Sequence, residues 1–201
     1  MNVHLRKRKT KNPCVRCGLN PLLCICEIIP KLDLKTRLLL VVHAKELKRT
    51  TNSGKLALEA LPNSLLLIRG IRGNNLDLSE HLSEDFTSLL FYPAADAHEL
   101  NAEFMKSIKK PVQLIVPDGN WRQASKVAIR HEELKNIPRV MIKKKNIAIH
   151  HLRAESSEYG MSTLEAIAKA LGVIEGPATE KSLMTLYEAK LKATLRGRGI
   201  L

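Results

Sequence analysis

The stretch Leu-Leu-Leu-Val-Val at residues 38–42 is a short, continuous apolar run that a polar segment follows at once. Similar runs recur at residues 65–68, 89–92 and 112–116, and a shorter one lies at residues 140–142. Runs of this length and character are typical of parallel strands that are covered on both faces. The pattern predicts four buried strands, with residues 140–142 as a fifth.

The segments between these runs have helical character. Helices are predicted at about residues 53–61, 97–107 and 121–131, so strands and helices alternate along the chain. Such alternation indicates an α/β fold with a mainly parallel sheet and helices on both faces.

The last third of the chain is predicted to be mostly helical. Ser162-Thr163-Leu164-Glu165 matches a capping box, in which Ser162 caps the helix and Glu165 returns a hydrogen bond. Gly172 is expected to end this helix, and Pro177 ends the short connection to a final amphipathic helix. Without an internal repeat or a low-complexity linker, no second globular domain is expected.

Four cysteines, the only ones in the chain, form the pattern Cys14-x2-Cys17-x6-Cys24-x-Cys26. Cys24 and Cys26 are too close in sequence for all four thiols to form unstrained disulfides, whereas one tetrahedral Zn²⁺ fits their number and spacing. A redox Cys-x-x-Cys would not need the second pair. Because the ion would occupy all four thiolates, a structural zinc site is predicted. Thiolates that bind zinc tightly also point to a reducing compartment, the cytoplasm.

These features divide the chain into two parts. Residues 1–33 are predicted to form a basic arm and a zinc knuckle, and residues 34–201 an α/β catalytic domain. No apolar run reaches the length needed to cross a bilayer, and the charged N-terminal segment does not resemble a signal peptide. A membrane partner is therefore not expected.

The charge balance points to a polyanionic partner. Among 201 residues, 33 are Lys or Arg and 20 are Asp or Glu, a net charge of +13. Nucleic acid is the first candidate, and with only 3% aromatic residues it is expected to be held through phosphate contacts and shape. A charge run can be merely a solvated face. Here four basic groups favour a nucleic-acid footprint, the first being the arm that carries Arg6, Lys7, Arg8 and Lys9.

Polar segments follow three of the predicted strands, and ligands of open α/β sheets bind at such carboxyl ends. The first segment begins at His43 and includes Arg49, Asn52 and Ser53, whose helix start can bind an anion or can be an ordinary capped loop. The second segment begins with Tyr92-Pro93 and leads to a turn that contains Asp96. Structural capping is the default role of Asp96.

The third segment is Pro117-Asp118-Gly119-Asn120-Trp121, followed by Arg122. Asp118 is the best candidate for a carboxylate that faces a pocket. Trp121 is the only tryptophan, and both core packing and ligand contact are open to it.

Together these motifs resemble the DTW-domain tRNA-uridine aminocarboxypropyltransferases over residues 14–175. The resemblance rests on the cysteine pattern, on His43-x-x-Glu46 with residues 49–54, on residues 90–93, on residues 118–124 and on residues 162–168. This chain departs from the family pattern at Asn120, where Thr is usual, and at Thr50, where Pro is usual.

The resemblance implies a SPOUT-related fold with a C-terminal knot and transfer of the 3-amino-3-carboxypropyl group of S-adenosylmethionine to N3 of a tRNA uridine, releasing methylthioadenosine. Asp118 is the expected catalytic residue, as a base or as a positioning group. The expected cofactor-binding residues are Phe91, Tyr92, Pro93, Pro117, Asp118, Gly119, Asn120, Trp121, Tyr159, Ser162, Thr163 and Glu165. The expected tRNA-binding residues are His43, Arg49, Asn52, Ser53, Arg122 and the four cations of the arm.

Two other functions stay open at this point. One is a SPOUT-type RNA methyltransferase, which uses the same cofactor but transfers a different carbon. The other is a non-catalytic, zinc-dependent RNA-binding protein, although a bare binding module has no need of the Asp-Gly-Asn-Trp turn. The protein is expected to act as a monomer or a small homo-oligomer.

Overall fold

A computed structural model describes residues 12–73, 75–143, 152 and 161–201 of the chain. Within these ranges six strands form one sheet: β1 (Arg37–His43), β2 (Ser64–Arg69), β3 (Thr87–Phe91), β4 (His98–Glu99), β5 (Val112–Asp118) and β6 (Arg139–Met141). The α-helices are α1 (Gly54–Ala60), α2 (Ala102–Lys106), α3 (Trp121–Arg130), α4 (Thr163–Ile174) and α5 (Pro177–Gly197).

The sheet is parallel throughout, with the strand order β2-β1-β5-β3-β6-β4. The chain leaves β1 through α1 and returns to β2, on one side of β1. It leaves β5 through α3 and continues to β6, on the opposite side of the sheet centre. The adjacent strands β1 and β5 therefore form a topological switch point, the place where open α/β sheets bind ligands.

Helices cover both faces of the sheet. Leu38, Leu40 and Val42 of β1 belong to the core that α1, α4 and α5 cover. Leu39 and Val41 face the opposite way, into the core that α3 covers. This alternation follows from the two-residue period of a strand, and it confirms the predicted α/β class and the helices on both faces.

Two local expectations were wrong. The helix expected over residues 97–107 is only α2, because residues 98–99 form the edge strand β4 and Asn101 caps the helix. Gly172 does not end α4, which continues to Ile174. A side chain at position 172 would collide with Glu180 of α5, so the glycine permits close packing of the two helices.

The segment between β6 and α4 bears on the expected knot. Of residues 144–160 only Leu152 is described, so the structure does not show a knot. Cys17, Leu19 and Ile29 of the N-terminal segment share a core with α4 and α5, and the domain boundary after residue 33 stays a prediction. None of the helices in the described ranges combines the length and apolar character required to cross a membrane.

Candidate functional site

Asp118 lies at the last position of β5, at the switch point, and is only 5% exposed. The Nδ2 amide of Asn52 donates a hydrogen bond to its Oδ2 at 2.7 Å, and the Oγ1 hydroxyl of Thr163 donates to its Oδ1 at 2.6 Å. Both carboxylate oxygens therefore accept a side-chain hydrogen bond, and hydrogen bonds to an ionised acceptor are the stronger kind. The carboxyl group is held in one orientation.

The loop before α1 forms hydrogen bonds with both β5 and α4. Asn52 and Ser53 are buried, and the Ser53 hydroxyl oxygen accepts a hydrogen bond from the backbone N–H of Leu164 at 3.1 Å. Gly54 lies so close that a Cβ atom there would be 3.1 Å from Asp118 Oδ2. Asn52 and Ser53, expected to contact RNA, therefore form hydrogen bonds within the protein, to Asp118 and to the start of α4.

The N-terminus of α4 forms only half of the expected capping box. The hydroxyl of Ser162 accepts a hydrogen bond from the N–H of Glu165 at 3.3 Å, but the Glu165 carboxylate instead pairs with Lys169 at 2.8 Å. Glu165 is 3% exposed, and burial favours the charged partner one turn later. Because Leu164 N–H is also bonded, Thr163 keeps the one N-terminal amide of α4 without a partner in the described residues.

The turn after Asp118 contains a capping box that the sequence did not predict. Asn120 caps α3, its side chain accepts from Gln123 N–H at 2.9 Å, and the Gln123 side chain accepts from Asn120 N–H at 2.8 Å. Gly119 has φ 152°, and a Cβ atom there would lie 2.7 Å from Gln123 Oε1. Trp121, 48% exposed, is not a core residue.

His43 is the last residue of β1, one position beyond the residue paired with Asp118. Its Nδ1 accepts a hydrogen bond from Lys45 N–H at 3.2 Å, and its ring covers Gly70. Burial lowers the pKa of His43, and nearby Arg69 and Lys45 lower it further. The imidazole is therefore kept neutral beside the site.

The end of β3 reaches the same edge of the sheet. Leu90 pairs with Ile115 of β5, so Tyr92 lies level with Pro117 and next to the switch point. Tyr92 N–H donates to Val140 O at 3.1 Å, while Phe91 packs toward the core on the α4 side. The structure thus brings the residues 91–93 and 117–121 together at one edge.

The four cysteines lie together, with all four Sγ atoms within 4.8 Å of one another. The measured Sγ–Sγ distances are 3.5 Å for Cys14–Cys26, 3.7 Å for Cys17–Cys24 and 3.7 Å for Cys14–Cys24. A tetrahedral Zn²⁺ with Zn–S bonds of about 2.3 Å needs sulfurs about 3.8 Å apart. The cluster has the size that a metal ion requires.

The thiols have uneven acidities without a cation. Hydrogen bonds from the backbone of Cys17 and Arg16 lower the pKa of Cys14 to about 6. Burial, and then hydrogen bonding to the neighbouring thiols, raises the pKa of Cys26 to about 12. A divalent cation would lower the pKa of every thiol that coordinates it, because a coordinating thiol is deprotonated outright.

Lys190 of α5 connects the knuckle to the loop before α1. Its side chain is fully buried, and its Nζ donates hydrogen bonds to the backbone carbonyls of Cys17 and Thr50, the second at 3.0 Å. Burial lowers its pKa to about 8, an effect that the nearby cysteines oppose. Lys190 lies four residues after Leu186 and three after Tyr187, so its helical spacing places it on the buried face of α5. Sequence reasoning missed this signal.

A groove of about 370 Å³ lies between the cysteine knuckle and the loop that ends at Asn52. Its lining includes the cations Arg16, Lys48, Arg49 and Lys55. Arg49, predicted to bind RNA, is exposed on this groove and pairs with buried Glu46 at 3.2 Å. The groove therefore presents positive charge next to the residues that hold Asp118.

The remaining predicted residues are less informative. Arg122 is exposed in the first turn of α3. Tyr159 and the four cations of the arm lie outside the described residues. Sequence reasoning missed the hydrogen bond between Thr163 and Asp118, because it treated Thr163 as part of a capping motif and as an expected cofactor contact.

Comparison with known proteins gives a consistent result. A family model described as the DTW domain matches residues 11–195. The chain is 25% identical over 172 residues to tRNA-uridine aminocarboxypropyltransferase 2 of Macaca fascicularis, covering 83% of this chain and 58% of the relative. It is 26% identical to the protein of the same name from Mus musculus, covering 81% of this chain and 56% of the relative.

A third relative with that name, from Drosophila melanogaster, is 27% identical over 172 residues, which cover 82% of this chain and 67% of the relative. The chain thus spans between about half and two thirds of the length of these curated relatives. A search of the solved structures found no match.

Proposed function

The chain belongs to the DTW-domain family, and on that premise we propose that it transfers the 3-amino-3-carboxypropyl group of S-adenosylmethionine to N3 of a uridine in tRNA. The relatives named as tRNA-uridine aminocarboxypropyltransferases support a transferase that modifies tRNA. The observation that carries the proposal is the buried Asp118 carboxylate, which Asn52 and Thr163 hold at the switch point of the sheet.

The residues present fit the proposed cofactor. Asp118 offers a carboxylate to an ammonium group. The Thr163 amide at the positive end of α4, which has no partner among the described residues, suits a carboxylate. Tyr92 and Trp121 supply partly exposed rings beside them. S-adenosylmethionine supplies a carbon activated by the adjoining sulfonium, and the thioether it releases needs no acid.

The chain's own task is to prepare the nucleophile. N3 of uridine is protonated at neutral pH and must lose its proton during the reaction. The hydrogen bonds from Asn52 and Thr163 orient the two oxygens of Asp118. In our proposal Asp118 either takes the N3 proton or holds the cofactor's amino group so that the carbon is in line with N3.

The proposed tRNA contacts lie on the knuckle side of the site. The basic groove and the arm would neutralise phosphates, and a structural Zn²⁺ on Cys14, Cys17, Cys24 and Cys26 would hold the knuckle that carries them. Each phosphate contact contributes about 0.7–0.9 to the slope of log affinity against log salt. Deleting residues 2–11 should therefore flatten that slope and weaken tRNA binding most at low salt, with cofactor affinity unchanged.

Asp118→Asn tests the proposed function. It keeps the shape of the side chain, removes the charge and should lower turnover by roughly 10²-fold or more, while tRNA affinity stays near that of the original protein. The product is identified by mass spectrometry of nucleosides from the treated tRNA. A methylated nucleoside would identify a methyltransferase, and an unmodified tRNA that still binds would identify a binding protein. Equal turnover in Asp118→Asn would remove Asp118 from catalysis.

A further inference from the structure

The outward face of α3 carries cations without acids. Residues 121–130 contain Arg122, Lys126 and Arg130 and no Asp or Glu. The three cations are spaced by four residues, so they lie on one side of the helix, where like charges repel each other. Arg122 also lies in the first turn, at the positive end of the helix dipole. The repulsion and the position of Arg122 oppose the stability of α3, whereas Arg130 in the last turn favours it.

Two more cations adjoin this face. Arg69, at the end of β2, donates a hydrogen bond from Nη1 to the backbone oxygen of Gln123 at 3.0 Å. Burial lowers the pKa of Arg69, and so does Arg130. Lys45 follows β1, and its charge acts on His43 together with those of Arg69 and Lys126. Cations from three separate segments therefore meet on one surface.

Some other cations of the described chain have acidic partners, although Lys48 and Lys109, for example, have no ion pair there either. Lys106 of α2 pairs with Glu103 at 2.6 Å, Lys135 pairs with Glu132, and Arg139 pairs with Asp96 at 2.5 Å. Within the described ranges, no ion pair includes any member of the α3 group, which comprises Lys45, Arg69, Arg122, Lys126 and Arg130. A solvated face would be expected to carry acids as well, as α2 does. A helix face with three cations and no acid suits an anionic partner.

The position of this surface identifies the partner. α3 begins three residues after Asp118 and covers the sheet face opposite to the one on which Cys17 and Leu19 pack. We propose that Lys45, Arg69, Lys126 and Arg130, here called the α3 ridge, bind the phosphate backbone of tRNA. The tRNA then crosses the carboxyl edge of the sheet, with the ridge on one side of Asp118 and the zinc knuckle on the other. This proposal rests on the proposed function.

The test compares two double variants with the same loss of charge. Lys126→Gln with Arg130→Gln removes two ridge cations, and glutamine keeps the helix propensity of α3. Lys106→Gln with Lys109→Gln removes two exposed cations from the region of α2, on the opposite face. Binding of unmodified tRNA is measured without cofactor across a salt series, and circular dichroism and thermal unfolding check that both variants fold.

The ridge variant should lose about 1.4–1.8 from the slope of log affinity against log salt, from two phosphate contacts. Its affinity at 0.1 M salt should fall by about tenfold or more, and the control should change by less than about threefold. Lys126→Arg with Arg130→Lys should retain binding, because the charges remain. Equal affinities for the ridge variant and the original protein would overturn the proposal, and so would equal losses in ridge variant and control.

Failure of the ridge and failure of the proposed function give different results. If the original protein modifies tRNA but the ridge variant binds it normally, only the ridge proposal is wrong. If the original protein leaves tRNA unmodified while the ridge variant loses affinity relative to its control, the ridge stands and the proposed reaction does not.

Discussion

Thr163→Val tests whether the orientation of Asp118 matters for turnover. Valine keeps the branched shape of threonine and removes the hydroxyl that donates to Asp118 Oδ1 at 2.6 Å. A hydrogen bond to a charged group contributes about 1.5–3 kcal/mol, and Asp118 is too buried for water to replace the donor fully. If that free energy is lost from the transition state, turnover should fall by about 10- to 160-fold at 1.36 kcal/mol per factor of ten.

The assay is single-turnover modification of tRNA with saturating cofactor and tRNA, so that binding defects do not enter the rate. Thr163→Ser is the matched control, since it restores a hydroxyl at the same position and should recover most of the rate. If Thr163 acts through Asp118, adding Thr163→Val to Asp118→Asn should cost little more than Asp118→Asn alone. Full turnover in Thr163→Val would refute the argument, and so would additive losses in the double variant.

Four further predictions follow from other contacts. Cys24→Ser should reduce bound zinc from about one ion per chain, measured by atomic absorption, and should destabilise the N-terminal segment, measured by limited proteolysis. Stoichiometric zinc retained in this variant and in one that also lacks Cys26 would contradict the zinc site. Lys190→Met should lower the free energy of unfolding by about 2–4 kcal/mol, because the backbone carbonyls of Cys17 and Thr50 lose their donor. In the same urea titration, Lys192→Met on the exposed side of α5 should change it by less than about 0.5 kcal/mol. Gly54→Ala places a methyl group 2.9 Å from Leu40 of β1 and 3.1 Å from the Asp118 carboxylate. It should lower turnover by at least about tenfold and stability by about 1–3 kcal/mol. An unaltered rate would show that turnover does not need the space beside Gly54. Burial lowers the pKa of His43 in the folded protein, whereas in the unfolded chain His43 takes up a proton below its ordinary pKa of 6.5. Stability should therefore fall as the pH drops from 6.5 toward the lowered pKa, and His43→Gln should flatten that part of the plot of stability against pH.

Five of the six parallel strands of the described chain were predictable because each has an apolar signature. Residues 38–42 and 112–116 are covered on both faces, so burial leaves a continuous run that identifies the strand. β4 has no such signature, since His98 and Glu99 are both exposed at the edge of the sheet. Gly172 was misread for a related reason. Its role depends on Glu180 of the next helix, and local sequence does not report that contact.

The site was predictable where local chemistry defined it. Asp118 was found because it ends a strand before a glycine turn, and the cysteines were found by spacing alone. The partners Asn52 and Thr163 are 66 and 45 residues from Asp118. Only the folded chain brings them together, so the sequence predicted them as ligand contacts rather than as groups that hold the carboxylate. The position of Lys190 between two backbone carbonyls depends on tertiary packing in the same way.

The central claim is that the aminocarboxypropyl group, and not the methyl group, reaches the tRNA. The most direct measurement supplies S-adenosylmethionine labelled either on the methyl carbon or on the carboxyl carbon and follows which label enters tRNA. We expect the carboxyl label to enter tRNA, the methyl label to leave with methylthioadenosine, and Asp118→Asn to reduce the incorporation. Methyl label in the tRNA, or neither label with a tRNA that is known to accept the group, would contradict the account.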